Sequence, residues 1–340
     1  MEKINVLLTA EAVNEEIQPL EEICNIHYDG WNQKLPPFDE DQLIERLSGV
    51  NVLLTSYDKV TGKVFEHCPD LKLVICTRST PANIDLSAAK GHGVIVCNTP
   101  NRNADVTAEF AVAMILALAR NVVQANRAIM DGSIIAAEEP ARKADVTWSA
   151  VNGISPYKAF QGTQIRGKTV GIVGYGGIGR RVARIMRGFG AHVLVCDPYV
   201  QSVSEPDTQL VDFDTLLRKS DFISCHTKVS PATTGMFDYE AFRKMKETAF
   251  FVNNSRGAMV NEADLLRALK EKQIAGAALD VFSSEPLYQG HPFLTETPKN
   301  LIMTPHISGA SPDAIVNGTR MMVEEIRRFL KGERLQYRLV

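Results

Sequence analysis

The chain has 340 residues, 45% hydrophobic and 23% charged, and at about 150 residues per domain that length points to two domains. A disordered tail and a small disulfide scaffold are excluded. Lys and Arg number 37 against 40 Asp and Glu, a net charge of −3, and no segment is basic enough to leave the electrostatic footprint of a nucleic-acid binder.

In chain order, MEKINVLLTAEAVNEE meets acidic residues soon after a short apolar run and lacks a small-residue cleavage pattern, so it reads as a first strand, not a secretory signal. Residues 4–9, 50–55, 71–76 and 94–98 are strand-sized apolar runs, far short of the ~20 residues a membrane helix needs. No membrane partner is expected, and the expected compartment is the cytosol. Amphipathic stretches such as 39–47 and 85–90 alternate with these runs, the rhythm of parallel strands with helical crossovers, and the expected fold class is α/β. Cys24, Cys68, Cys76, Cys97, Cys196 and Cys225 include no Cys-x-x-Cys pair, which suits buried thiols and points to neither zinc nor a disulfide framework.

Residues 105–120, DVTAEFAVAMILALAR, form a continuous apolar and small-residue stretch. It is expected to be a long buried helix, with Asp105 or Thr107 capping its start and Glu109 complementing the positive end of its dipole. Apolarity all round calls for cover on several sides, as between domains or in a subunit interface, although an ordinary core helix gives the same pattern. Periodicity then lapses from 131 to 166, a stretch holding Gly132, Pro140, Gly153, Pro156 and Gly162 with Trp148, Tyr157 and Phe160. A connection that long is expected to cover a site or grip a second subunit. The rhythm resumes with six strand candidates at 169–173, 192–196, 222–225, 250–253, 275–279 and 301–304, enough for a dinucleotide-binding sheet. A last helical stretch, 314–330, follows; if it crosses back onto the N-terminal sheet, the first domain is discontinuous.

TVGIVGYGGIGRRVARIM carries Gly174, Gly176 and Gly179 in G-x-G-x-x-G spacing between a strand and an amphipathic helix. The first glycine permits a tight turn, the second lets backbone approach a pyrophosphate, and the third allows helix and strand to pack closely, while the helix N-terminus offers N–H groups to the anion. The next strand ends in Asp197, where a carboxylate accepts from ribose hydroxyls and repels a 2′-phosphate, so NAD is the expected cofactor over NADP. Arg180 and Arg181 follow the last glycine and read as solvated helix-surface residues.

Three further strand ends in this half carry polar groups: FFVNNSRG with Arg256, GAALDVFSSEP with Asp280 and Glu285, and LIMTPH with His306. Arginine presents a bidentate fork to a carboxylate, histidine exchanges protons near neutral pH, and a carboxylate against imidazole fixes its tautomer and favours its protonated form. Beside a nicotinamide, that set describes hydride transfer at a hydroxyl next to a carboxylate. His27, His67, His92 and His291 have no such company in the sequence and are expected to be structural or exposed.

With these motifs and VCNTPNRNADVTAEFAVAMILALAR, SRGAMVNEADLLRALKEKQIAGAALDVFSSEP and NLIMTPHISGAS, nearly the whole chain resembles the D-2-hydroxyacid dehydrogenase family. The resemblance implies that Arg256 holds the substrate carboxylate, His306 is the general acid/base and Glu285 orients His306. It further implies that Ser79, Thr107, Gly177, Ile178, Asp197, Thr227, Asn254 and Asp280 line the dinucleotide with the glycines. The implied architecture is a Rossmann domain at 104–308 inserted into a flavodoxin-like substrate domain at 1–103 and 309–340, in a homodimer joined through the cofactor domains. CTRSTPANIDLSAA departs from the glycine-rich stretch usual in relatives; Arg78, Ser79 and Thr80 are expected to touch substrate there, and Arg78 or Arg102 to read a second anionic or hydroxylated part of it. Lys228 stands where relatives often have proline. Only about ten residues follow 330, so no C-terminal regulatory domain is expected. Rival readings are a nucleotide-sensing protein resembling the C-terminal binding protein corepressors, and a formate dehydrogenase, in which glutamine replaces Glu285.

Overall fold

The computed structural model describes residues 3–135 and 155–340. The chain divides into two compact units, residues 1–103 with 310–340 and residues 104–309. Trp148, Pro140 and Gly153 lie outside the described residues, whereas Tyr157 lies on the short helix Pro156–Ala159 and is exposed.

The first unit is a five-stranded parallel sheet of β1 (Ile4–Leu8), β2 (Cys24–Tyr28), β3 (Val52–Thr55), β4 (Leu73–Cys76) and β5 (Ile95–Asn98), in the order β2-β1-β3-β4-β5. That is the flavodoxin-like order. The sequence reading named four of these strands and passed over β2. Its CNIHY buries only Cys24 and alternates exposed and half-buried positions beyond it at the sheet edge, so it lacks the continuous apolar signature of the interior strands. Asp39 and Asp85 cap helices Glu40–Arg46 and Leu86–Gly91 by accepting from the Gln42 and Ala88 N–H groups.

One face of this sheet is closed by the C-terminal helix Pro312–Leu330, whose Met322, Val323 and Ile326 are buried with Val6, Leu8, Val52, Leu54, Leu73 and Ile75. Glu325, fully buried on that helix, accepts from the Gln336 and Tyr337 N–H groups at 3.0 and 3.3 Å. It thereby holds the tail that bridges antiparallel to β5 at Cys97 and Arg338. All six cysteines are free thiols, and burial followed by the Glu325 carboxylate pushes the Cys97 thiol up to about 12.

The second unit is a seven-stranded parallel sheet of β6 (Thr169–Val173), β7 (His192–Cys196), β8 (Thr208–Leu210), β9 (Phe222–Cys225), β10 (Phe250–Asn253), β11 (Gly276–Leu279) and β12 (Leu301–Met303). Its order is β12-β11-β10-β9-β6-β7-β8, the doubly wound Rossmann arrangement with its reversal between β6 and β9. The expectation of six strands is corrected to seven. β8 is a three-residue edge strand paired, among the described residues, with β7 alone, too short to show an alternation.

Helix Ala104–Ala119 is buried along most of its length, with Ala108, Ala111, Val112, Ile115 and Leu118 in one core with β6, β7 and the fingerprint helix Gly177–Gly188. The expected caps are corrected. The helix starts at Ala104, ahead of both residues; Asp105 pairs instead with Arg181 at 2.7 Å, and the Thr107 hydroxyl has no partner. Among the described residues no single helix is long and apolar enough to cross a membrane.

Candidate active site

Because the seven strands of the second unit run parallel, their carboxyl ends lie along one edge of the sheet. The fingerprint turn follows β6, Asp197 follows β7, Thr227 lies just beyond β9, Asn254 and Arg256 follow β10, Asp280 and Glu285 follow β11, and His306 follows β12. Parallel register thus gathers residues scattered over 130 positions of sequence onto the edge where open α/β sheets bind ligands.

The glycine turn is built for close approach. Gly174 has φ +92°, and a Cβ there would stand 2.7 Å from the His226 carbonyl carbon; a Cβ on Gly179 would lie 2.0 Å from the Gly174 oxygen. A Cβ on Gly176 would meet nothing within 4 Å, which leaves open space over the N-terminus of helix Gly177–Gly188. Gly177 and Ile178 form the first turn of that helix. The Asp197 carboxylate accepts from the Tyr175 N–H at 2.7 Å and the Tyr199 N–H at 2.9 Å, and each oxygen keeps a lone pair for a further donor. Arg181 is engaged with Asp105, and Arg180 lies over the Tyr175 ring and pairs with Glu205.

Asn254 is buried; its amide donates to the Thr107 carbonyl at 3.1 Å, while Asn254 Oδ1 and Thr107 Oγ1 have no partner among the described residues. Buried polar atoms left unpaired are expected to meet a ligand or water. The open glycine cradle, the strand-end carboxylate and these two orphaned oxygens all fit a nicotinamide dinucleotide. His226, beside the glycine turn, donates or accepts at Ser224 Oγ over 2.8 Å, and burial pushes its imidazole down to about 3, so it stays neutral.

His306 and Glu285 come together: His306 Nδ1 lies 2.7 Å from Glu285 Oε2, and Glu285 Oε1 accepts from the Phe282 N–H at 2.8 Å. The side chains are 47% and 34% exposed, which leaves the imidazole open to a ligand. His306 has φ +56°, a left-handed conformation that costs energy for a residue with a Cβ and recurs where function over-determines the backbone. Asp280 supplies that constraint. Its buried carboxylate accepts from Thr304 Oγ1 at 2.6 Å and from the Ile307 and Ser308 N–H groups at 2.9 and 2.8 Å, and its carbonyl accepts from the His306 N–H. In this structure Asp280 holds the histidine turn.

Arg256 is exposed on a turn clamped by Asn253, whose amide donates to the Arg256 carbonyl and whose Oδ1 accepts from Ser255. A Cβ on the next residue, Gly257, would stand 1.9 Å from the Phe282 carbonyl carbon. The arginine turn therefore rests directly on the backbone of the loop that carries Glu285.

Arg78, Ser79 and Thr80 belong to the first unit, on the exposed turn after β4; Arg78 lies over the Tyr57 ring, and the Ser79 carbonyl accepts from Asn98 Nδ2. Arg102 donates to the Ala314 carbonyl at 3.2 Å, a bond internal to that unit. Lys228 is exposed, as are His27, His67 and His92. His291 takes the structural alternative of its expectation: it is buried and lies 3.1 Å from Glu262 Oε2. No signal of period or spacing links residues 262 and 291.

Residues 112–308 match the family model for the NAD binding domain of D-isomer specific 2-hydroxyacid dehydrogenases. The chain is 34% identical over 339 residues to a glyoxylate reductase of Thermococcus litoralis, covering 97% of this chain and 95% of that protein. It is 35% identical over 283 residues to a D-3-phosphoglycerate dehydrogenase of Synechocystis, of which it covers 47%. In fold it is similar to the NAD-complexed D-isomer specific 2-hydroxyacid dehydrogenase of Lactobacillus delbrueckii, with TM-score 0.81, 21% identity, and 99% of this chain and 100% of that one covered.

Proposed function

Since the chain belongs to the D-isomer specific 2-hydroxyacid dehydrogenases, NAD-dependent oxidoreductases, we propose that it interconverts a 2-keto acid and a D-2-hydroxy acid with His306 as proton donor, Glu285 as its partner and Arg256 as carboxylate anchor. The observation that carries this reading is the His306–Glu285 pair, 2.7 Å apart on the carboxyl edge of the cofactor-binding sheet.

A nicotinamide dinucleotide, when bound, would supply hydride chemistry at the carbonyl carbon. With Nδ1 turned to Glu285, Nε2 is the ring nitrogen free to face substrate, and it delivers its proton to the carbonyl oxygen as charge develops there. Glu285, at Nδ1, fixes the orientation of the ring for that transfer. The Arg256 guanidinium pairs with the substrate carboxylate and draws charge from the adjoining carbonyl, so its attraction grows toward the transition state. In oxidation His306 takes the hydroxyl proton back. Gly174, Gly176, Gly177, Ile178 and Gly179 would hold the pyrophosphate, Asp197 the ribose, and Thr107, Thr227, Asn254 and Ser79 the remainder of the dinucleotide.

The proposed division is a substrate domain of residues 1–103 and 309–340 and a cofactor domain of 104–308. Arg78, Ser79 and Thr80 are proposed to meet the substrate. The free thiols suit a reducing compartment, and the proposed location is the cytosol. The proposed assembly is a homodimer through the cofactor domains.

The test is loss of NADH absorbance with a panel of glyoxylate, hydroxypyruvate, pyruvate and phosphorylated 2-keto acids. At least one is expected to turn over, and His306→Ala should lower kcat by on the order of 10²–10⁴ while leaving NADH affinity within about twofold. Tight NADH binding with no turnover across the panel would overturn the reading in favour of a nucleotide-sensing protein.

A further inference from the structure

The Glu285 loop leaves β11 and returns to the protein at His291, and between those points its polar backbone is held by one side chain from elsewhere. Glu262, the first residue of helix Glu262–Lys270, accepts from the Ser283 N–H through Oε1 at 2.7 Å and from the Ser283 hydroxyl through Oε2 at 2.8 Å. His291 closes the same carboxylate, its Nε2 lying 3.1 Å from Oε2. His291 Nδ1 accepts from the Phe293 N–H at 3.3 Å, so the ring hydrogen belongs on Nε2 and points at Glu262. The two side chains are 6% and 14% exposed, His291 and Glu262 respectively, and the ring is edged by Tyr288, Phe282 and Phe293. A nearly dry carboxylate with three donors is a stronger anchor than the same contacts in water.

This anchor stands between both arms of the site. Ser283 is two residues from Glu285 and one from Phe282, whose N–H fixes Glu285 Oε1. On its other side, Glu262 follows the Arg256 turn by six residues, and that turn's Gly257 backbone lies against Phe282 and Ser283. Asn261, capping the helix by accepting from the Asp264 N–H, keeps Glu262 at the helix start, where a carboxylate also complements the dipole.

We infer that Glu262, locked by His291, is a positioning residue for the reaction: it clamps Ser283 so that Glu285 stays on His306 Nδ1 while the Arg256 turn keeps its seat on the same loop. The inference rests on the proposed roles of His306, Glu285 and Arg256. Without the clamp the 282–285 backbone can drift outward, and misplacing a catalytic partner by about 1 Å is enough to cost on the order of 100-fold in rate.

The decisive measurement is the pH dependence of kcat for keto-acid reduction, with NADH affinity by fluorescence and thermal stability read alongside. Glu262→Gln, which cannot accept from Ser283 and His291 together without a donor facing a donor, is expected to lower kcat on the order of tenfold. The alkaline limb of its profile should move to lower pH, with NADH affinity within about twofold of wild type. Ser283→Ala removes one donor and no packing, and should move the limb the same way by less; His291→Gln keeps a donor for Glu262 and should retain more of the wild-type profile than His291→Phe. In a Glu285→Gln background, Glu262→Gln should add no further shift. If Glu285→Gln shifts the profile and neither Glu262→Gln nor Ser283→Ala does, the clamp is refuted while the catalytic pair stands; if Glu285→Gln itself leaves the profile unmoved, the pair is what fails. A profile superimposable on wild type with lowered thermal stability would reduce Glu262 to a purely structural tie.

Discussion

At the scale of single residues, the catalytic proposal turns on which nitrogen of His306 faces the ligand. Glu285 decides it by occupying Nδ1 at 2.7 Å. Glu285→Gln removes the negative charge that favours imidazolium, while reduction needs the ring protonated. The falling alkaline limb of reduction rate is therefore expected to move to lower pH, read from kcat over a pH series, with oxidation kept active to lower pH by the same change. The residues of this pair were legible in the sequence because each follows a strand by a few residues, and strand ends of one parallel sheet must share an edge. Asp280 was legible as part of the site, yet the bonds it makes to Thr304, Ile307 and Ser308 were not, since a sequence names the carboxylate without saying which of its neighbours turn toward it. Glu262 and His291 were illegible altogether: they meet across 29 positions through a loop of no regular period.

At the scale of elements, the interior strands were readable as continuous apolar runs, and the edge strands β2 and β8 were not, because an edge strand carries polar residues on a solvated side and can be only three residues long. How the interior strands are tied at their amino ends is equally specific. Asp221, just before β9, accepts from the Thr169 N–H of β6 at 2.8 Å and from Lys246 Nζ at 2.8 Å, and its own carbonyl accepts from the Phe250 N–H of β10. Burial pushes this carboxyl up, but the Lys246 ammonium and the Thr169 N–H outweigh it and hold it below the usual carboxylate range. A native value below the unfolded one means that the stabilisation is complete above the ordinary carboxylate range and is lost as pH falls through the depressed value. Asp221→Asn is expected to cost about 1–2 kcal/mol at neutral pH, measured by denaturant unfolding, and the gap between variant and wild type should close as the pH is taken toward 2.

At the scale of the whole molecule, the two parallel sheets show why the fold class was readable early. Alternating strand and helix patterns can be satisfied only by crossovers on both faces of a sheet. The way helix Ala104–Ala119 buries itself in its own unit was not readable, because an apolar helix looks the same whatever covers it. Its partly buried Phe110 and Leu116 pack against the core of the same unit, and the proposed dimer is tested in solution. Light scattering coupled to size exclusion is expected to give twice the 37.5 kDa of one chain, independent of dilution through the micromolar range; the mass of a single chain would remove the dimer and leave the chemistry untouched.

Helix Pro312–Leu330 lays Met322, Val323 and Ile326 on a sheet built from residues 4–98. A ribosome therefore releases that sheet with one face only partly covered and must translate about 200 more residues before the covering helix emerges, a wait of roughly 10–40 s at about 5–20 residues per second. The intervening unit has all its own strands in one stretch of nascent chain and can mature during that interval. The earliest segment made is thus the last to be finished.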